Sequence, residues 1–276
     1  MLAAKWEKKA VDRAQLESLQ KRYGIDALTA SILLRRNIVD GKDLLYYMED
    51  DLRFQHNPFT FVSMEDAVDR ILAAQEEKEK VLIFGDRDVD GVSATTVLYD
   101  CLSELGIDVQ FRLPAGDDAY GLSMAAVDDF AKDYGSLIIT VDCGISNNAE
   151  VAHAGELGID VIIVDHHNPQ EQHPSPSIII NPKCEDSGYA FHDISGCAVV
   201  FKLVSAIRFS RSKWYKQQVT LVNVLPTEDS YIIECIKLRN LVPVSRIREQ
   251  IIPNTVSISE TRLPAYLNGE DRKSVV

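Results

Sequence analysis

The residues best suited to chemistry are Asp165-His166-His167, which directly follow the apolar run Val161-Ile162-Ile163-Val164. The pattern recurs upstream. Val81-Leu82-Ile83-Phe84-Gly85 runs into Asp86-Arg87-Asp88-Val89-Asp90-Gly91, and Leu137-Ile138-Ile139-Thr140-Val141 runs into Asp142-Cys143-Gly144. Asp86, Asp88 and Asp90 crowd like charges, a cost that a bound cation offsets. A solvated acidic turn is the competing reading. The flanking strand pattern and the missing distal glutamate argue against an EF-hand calcium loop. Asp142 taken alone reads as a cap for the next helix, through Gly144-Ile145-Ser146, more readily than as a ligand. Vicinal histidines at a strand end are poor core formers, and neutral imidazole is a common metal ligand. A mixed Asp/His set dominated by oxygen suits manganese or magnesium better than zinc. Two such ions stabilise the attacking and leaving oxygens of phosphoryl transfer. The residues therefore point to two-metal phosphoester hydrolysis. No Walker lysine motif and no GxGxxG follows the first run, which argues against an NTPase or a dinucleotide enzyme.

These groups must be gathered by their elements. Short β-branched runs separated by helical patterns read as buried parallel strands, and sites in such sheets form beyond the strands' carboxyl ends. The spacing predicts strands at 81–85, 108–113, 136–141, 160–164 and 177–180. Helices are expected near 92–105, 123–133, 146–157 and 194–209. The fold class is α/β, a mostly parallel sheet flanked by helices. Ahead of it, Ala10–Tyr23 and Ala27–Arg36 show helical periodicity, punctuated by Gly24, Asn37 and Gly41. Asn57-Pro58 marks a turn, and Ser63 reads as the N-cap of a helix to about Glu77, with Asp66 in a capping-box position. Beyond residue 210 the rhythm degrades, with strands expected at Val219–Val224 and Tyr231–Ile236 and a polar tail over 251–276. The expected organisation is a short N-terminal helical segment (1–60), a core (61–209) and an incomplete C-terminal unit (210–276), a linker or the truncated start of a further domain.

Composition sets bounds. The 276 residues are 46% hydrophobic and 26% charged, ordinary for a chain that buries a core. No apolar run reaches the length of a membrane span, and Met1 to Lys9 leads into no apolar stretch, so neither membrane anchoring nor a signal peptide is expected. The five cysteines are scattered and form no CxxC pair, which fits a reducing cytoplasm. A net charge of −13 opposes phosphate binding in bulk, but part of it sits where cations would reverse the local field. One basic stretch stands out: Arg208, Arg211, Lys213 and Lys216 interleave with Phe209, Trp214 and Tyr215. Cations with stacking rings suit single-stranded nucleic acid, so Arg208, Arg211, Lys213 and Trp214 are candidate contacts. A solvated helix end with a half-buried tryptophan is the plainer reading.

The motifs together resemble the DHH phosphoesterase superfamily, and within it the RecJ-type single-strand-specific exonucleases. The resemblance rests on Gly85–Ser93, Val141–Ser146 and Asp165-His166-His167. It is extended by Asn57-Pro58, Ala119-Tyr120-Gly121-Leu122-Ser123, Ile180-Asn181-Pro182 and Ile194–Leu203, and covers about residues 28–207. It implies a metal-dependent 5′-to-3′ exonuclease on single-stranded DNA, acting in repair and recombination. It further implies Asp86, Asp88, Asp90, Asp142 and His166 as the metal set, His167 as a catalytic group at the scissile phosphate, and Asp165 as its orienting partner. Repair or recombination proteins are the implied partners, and the oligomeric state is open.

The chain departs from the family in four places. Tyrosine is usual where Arg87 stands. The arginine usual ahead of Tyr120 is missing from Pro114–Asp118. The fourth motif should supply another aspartate soon after the helix at 194–209, where Leu221–Asp229 does not match and Asp229 is the nearest substitute. The glycine-rich C-terminal substrate-binding domain is absent. These departures favour a truncated core or an insertion whose remaining parts lie downstream. They keep two alternatives in play: a DHH phosphodiesterase on cyclic dinucleotides or short oligonucleotides, and a catalytically degenerate scaffold.

Overall fold

A computed structural model of the chain describes residues 7–39, 41–49, 51, 54–251 and 263–267. Most of the N-terminal stretch Met1 to Lys9 and of the tail 251–276 lies outside the described residues. The chain divides into two compact units, Met1–Gln55 and His56–Val276.

The first unit is helical. Helices α1 (Arg13–Tyr23), α2 (Ala27–Arg35) and α3 (Gly41–Met48) follow one another, with Asp12 and Asp26 capping the first two. Gly24 ends α1 with φ of 67°, a left-handed cap that glycine adopts without a Cβ penalty. Leu19, Ala30, Leu33 and Leu44 form its small core.

The second unit opens with a short 3-10 turn at Pro58–Thr60, capped by the Asn57 side chain, and with α4 (Met64–Glu77). Ser63 precedes α4 but makes no side-chain capping bond, so the capping box expected there is not formed. Strands and helices then alternate: β1 (Lys80–Gly85), α5 (Val89–Glu104), β2 (Asp108–Arg112), α6 (Met124–Lys132), β3 (Leu137–Val141), α7 (Asn148–Glu156), β4 (Asp160–Val164), β5 (Ile178–Ile180) and α8 (Gly196–Ser210). The five strands form one parallel sheet in the order β2-β1-β3-β4-β5. The expected α/β class is therefore present. The chain order reverses between β1 and β3, the position where parallel sheets open a crevice at their carboxyl ends.

Strand periodicity explains why the sheet is covered on both faces. Val81, Ile83, Leu137, Ile139, Ile162 and Val164 turn toward α4, α5 and α8. Leu82, Phe84, Ile138, Val161 and Ile163 turn toward α6 and α7. Alternate residues of one strand point to opposite faces, so the central strands must be apolar throughout, as their sequences are.

After α8 come β6 (Gln218–Pro226), β7 (Tyr231–Arg239) and β8 (Val242–Ile251), a three-stranded antiparallel sheet, with a short helix α9 (Leu263–Leu267). Ile233, Cys235, Ile247, Leu263 and Tyr266 form its core. β8 was not expected from the sequence. Asn240 ties this sheet to the α/β core: Asn57 Nδ2 donates to its carbonyl at 3.0 Å, its own Nδ2 donates to Glu65 at 2.8 Å, and its Oδ1 accepts from the Lys216 N–H at 2.7 Å. Among the described residues no helix is long and apolar enough to cross a membrane.

Candidate metal centre

The carboxyl ends of β1, β3 and β4 deliver the predicted groups to one place. Asp86 follows β1 and is largely buried, and Asp88 caps α5 by accepting from the Gly91 N–H at 2.9 Å. Gly91 is required there, because a Cβ at that position would lie 2.5 Å from the Asp86 carbonyl oxygen. Asp142 follows β3 with φ of 58°, a left-handed backbone that aspartate tolerates better than most residues. Its N–H donates to the Val164 carbonyl at 2.9 Å, which locks it against β4. Asp142 was also open to reading as a helix cap. In the structure the N-cap position of α7 is Asn147, whose side chain makes no capping bond, and the turn after Asp142 is held by Asp165, whose Oδ2 accepts from the Ile145 N–H at 3.0 Å.

Two ligand-like groups result. One is Asp142 with His166 and His167, the other Asp86 with Asp88 and Asp142; within each, one donor atom per residue lies within 4.8 Å of the rest. Asp142 belongs to both. Its Oδ1 is buried, makes no hydrogen bond, and stands 3.1 Å from His166 Nε2. A buried carboxylate oxygen left without a donor is costly, and a divalent cation is the partner such an oxygen fits. Burial, then Asp90 and Asp88 beside it, push the Asp142 carboxyl up to about 7, so an added positive charge is what the site wants electrostatically.

Asp90 is placed differently from its neighbours. Its two oxygens accept the backbone N–H groups of Gly196 and Cys197, each at 2.8 Å, and Oδ2 lies 3.8 Å from His166 Nε2. It sits at the rim of the group, and its charge complements the N-terminus of α8.

Asp165 is fully buried and organises the histidines. Its Oδ1 accepts from the His166 N–H at 2.7 Å, the His167 N–H at 3.1 Å and His167 Nδ1 at 2.7 Å. Burial alone would raise its carboxyl, yet the bonds from His167 and Ile145 hold it below the ordinary range. The same bond to Asp165 raises His167. With Nδ1 engaged, Nε2 is the ring nitrogen of His167 left for a ligand. Asn181, also buried, holds the peptide by donating to the His167 carbonyl at 2.9 Å.

Three contributors carried little chemical signal in the sequence. Tyr120 Oη donates to the Asp142 carbonyl at 3.1 Å and lies 3.2 Å from His167 Nδ1. Burial and the surrounding carboxylates push its phenol up, so it stays protonated. Arg87 donates to the carbonyls of Gly116 and Asp118 at 2.8 and 3.0 Å, restraining the loop that carries Tyr120. Gly196 lets α8 approach, since a Cβ there would lie 2.2 Å from Asp142 Oδ1.

The basic stretch lies elsewhere. Arg208 is in the last turn of α8, at the end remote from Gly196, and pairs with Glu104 at 3.3 Å. Lys213 stands over the Trp214 ring at 4.9 Å, and Arg211 caps α8. Asp229 is exposed in the β6–β7 turn and belongs to neither ligand group.

A parallel α/β sheet with aspartates and a histidine pair at three strand ends is the architecture of a DHH phosphoesterase domain. The sequence profile of the DHH family, N-terminal domain, matches residues 80–225, and the chain belongs to that family. The single-stranded-DNA-specific exonuclease RecJ of Bacillus subtilis (strain 168) is 36% identical over 210 residues, covering 75% of this chain and 27% of RecJ. RecJ of Escherichia coli (strain K12) is 36% identical over 159 residues, covering 56% and 28%. The crystal structure of exonuclease RecJ bound to manganese superposes with a TM-score of 0.50 at 30% identity, covering 54% of this chain and 38% of that one. RecJ from Thermus thermophilus in complex with Mn2+ gives a TM-score of 0.56 at 26% identity, covering 72% and 27%. The chain thus spans little more than a quarter of the length of these curated relatives.

Proposed function

We propose that this chain carries the catalytic core, residues 61–209, of a metal-dependent exonuclease that hydrolyses phosphodiester bonds of single-stranded DNA from the 5′ end. The observation that carries the reading is Asp142 shared between two ligand groups, so that one carboxylate would serve both candidate cation positions. Asp86, Asp88 and Asp142 would hold one ion; Asp142 and His166, with Asp90 at the rim and His167 within reach, would hold the other. Manganese or magnesium fits this oxygen-rich set, and the RecJ structures bound to manganese support that choice. Divalent cations held by these residues would supply charge to stabilise the attacking and leaving oxygens of phosphoryl transfer.

The chain's own groups complete the site. His167, held by Asp165 through Nδ1, presents Nε2 to a non-bridging phosphate oxygen. Tyr120 steadies both the Asp142 peptide and the His167 ring. Asp165 keeps His167 in one tautomer and orientation, the role carboxylates take behind functional histidines. Arg208, Arg211, Lys213 and Trp214 give a secondary contact for the strand away from the reacting phosphate. A cytoplasmic location and repair or recombination partners belong to the same reading.

The test is digestion of 5′-labelled and 3′-labelled single-stranded DNA with manganese, beside an EDTA control and a cyclic dinucleotide. Release of label as mononucleotide from the 5′ end, abolished by EDTA, is expected. Cleavage of the cyclic dinucleotide alone would replace the exonuclease reading with a small-substrate phosphodiesterase.

A further inference from the structure

The antiparallel sheet has two edges, β6 and β8, and they differ in kind. β8 is guarded. It carries Arg246, Arg248 and Glu249, contains Pro243, and pairs with β7 through a register irregularity at Lys237/Leu238. Charges, prolines and bulges are the devices that keep an edge from accepting another strand. β6 has no charged residue from Gln218 to Pro226, and its one proline is the last residue. Leu221, Val222, Val224 and Leu225 are 46, 51, 57 and 43% exposed. These positions lie on both faces of the strand, and among the described residues β7 is its sole partner. A bare apolar edge of this type is a template for strand addition.

The strand's own sequence says what fits it. Leu221-Val222-Asn223-Val224-Leu225 reads the same in both directions about Asn223. A two-fold contact between identical chains needs such a self-complementary surface, in which residue i meets j and j meets i. The backbone phase agrees. Thr227 N–H donates to the Ser230 carbonyl at 2.8 Å, closing the β6–β7 hairpin as a hydrogen-bonded pair. Alternation along an antiparallel ladder then turns the backbone groups of Thr220, Val222 and Val224 away from β7, toward the open edge.

We propose that β6 is a homodimerisation edge, on which the β6 strands of two copies of this chain pair antiparallel about Asn223 to form one continuous sheet. In that register Val222 and Val224 of one copy exchange both backbone hydrogen bonds with Val224 and Val222 of the other. Leu221 meets Leu225 on the opposite face. The two Asn223 residues face each other on the axis as a non-hydrogen-bonded pair, the pairing with the closest side chains. Pro226 falls opposite Thr220 and, lacking an N–H, ends the ladder.

Sedimentation equilibrium of the whole chain over a concentration series tests this, with the variants Val224→Lys and Asn223→Cys. The parent is expected to dimerise. Val224→Lys is expected to remain monomeric at every concentration with an unchanged circular dichroism spectrum. Asn223→Cys is expected to oxidise to a covalent dimer, reversible by thiol, under conditions that leave the parent uncrosslinked. A parent that is monomeric throughout overturns the proposal. So does a dimer that survives Val224→Lys, or an Asn223→Cys variant that does not crosslink.

Discussion

Asp142 rests against the Cα of Gly196: a methyl group on that glycine would lie 2.2 Å from Oδ1 of the aspartate. The first residue of α8 is thus fitted to the buried oxygen that has no hydrogen-bond donor. Gly196→Ala is expected to push the carboxylate or the helix aside, with a stability loss of about 1–3 kcal/mol. Manganese affinity should fall by at least about tenfold. Calorimetric titration reads the affinity, and an alanine variant binding manganese like the parent would contradict the ligand role given to Asp142.

Asp142 itself makes a sharper case. Asp142→Ala or Asp142→Asn removes a ligand rather than core packing, so manganese binding and DNA cleavage should be abolished while the circular dichroism spectrum is kept. Retained cleavage by either variant would sink the site.

A pH dependence follows from the same carboxyl. Burial, Asp90 and Asp88 raise it from 3.8 to about 7 in the folded chain. The folded state therefore holds the proton more tightly than the unfolded state. Its contribution to stability is full below the ordinary carboxylate range and is lost as pH rises through about 7. Protein freed of metal by EDTA should melt at a higher temperature near about pH 5 than near about pH 8. Asp142→Asn should shrink that difference, and manganese at the higher pH should restore the melting temperature of the parent only. Thermal melts at the two pH values decide it.

Asp165→Asn tests the orientation of His167. The amide has one acceptor oxygen, so it cannot serve both the His166 and His167 donors, which Asp165 Oδ1 accepts, and the Ile145 N–H, which Oδ2 accepts. Activity or metal affinity is expected to drop about 10- to 100-fold, the usual cost of losing a partner behind a functional histidine. Imidazole nitrogen chemical shifts would report the altered tautomer, a signature that a loss of folding alone would not give.

The β7–β8 hairpin offers a stabilising change. Asn240 and Leu241 form its two-residue turn with φ of 49° and 63°. Asparagine suits the first position, but leucine is strained at the second, where glycine is preferred. Leu241→Gly is expected to stabilise the chain by about 1 kcal/mol. An unchanged or lower denaturation midpoint would count against the strain.

The parallel sheet was legible because its strands are short β-branched runs buried on both faces, and the chemistry because each run stops at Asp or His. What escaped the sequence was long-range. The partners of Asp90 are the N–H groups of Gly196 and Cys197, more than a hundred positions away, and no local pattern foretells them. The bond from the Ile145 N–H to the Asp165 carboxylate is invisible for the same reason. β8 was missed because Pro243 and the charges of Arg246, Arg248 and Glu249 dilute the apolar pattern; of its residues only Ile247 is buried. Ser63 was over-read, since a correct residue type at a helix start does not oblige its side chain to cap.

Helix α8 has a consequence for the spacing of the molecule. Its first turn is pinned to Asp90, and its far end leads through Arg211–Gln217 into β6. Fifteen helical residues measure about 22 Å. The helix is therefore a fixed strut: it sets how far the basic segment after it stands from the carboxylates, and a strand held at both places would have to stretch across several nucleotides between them.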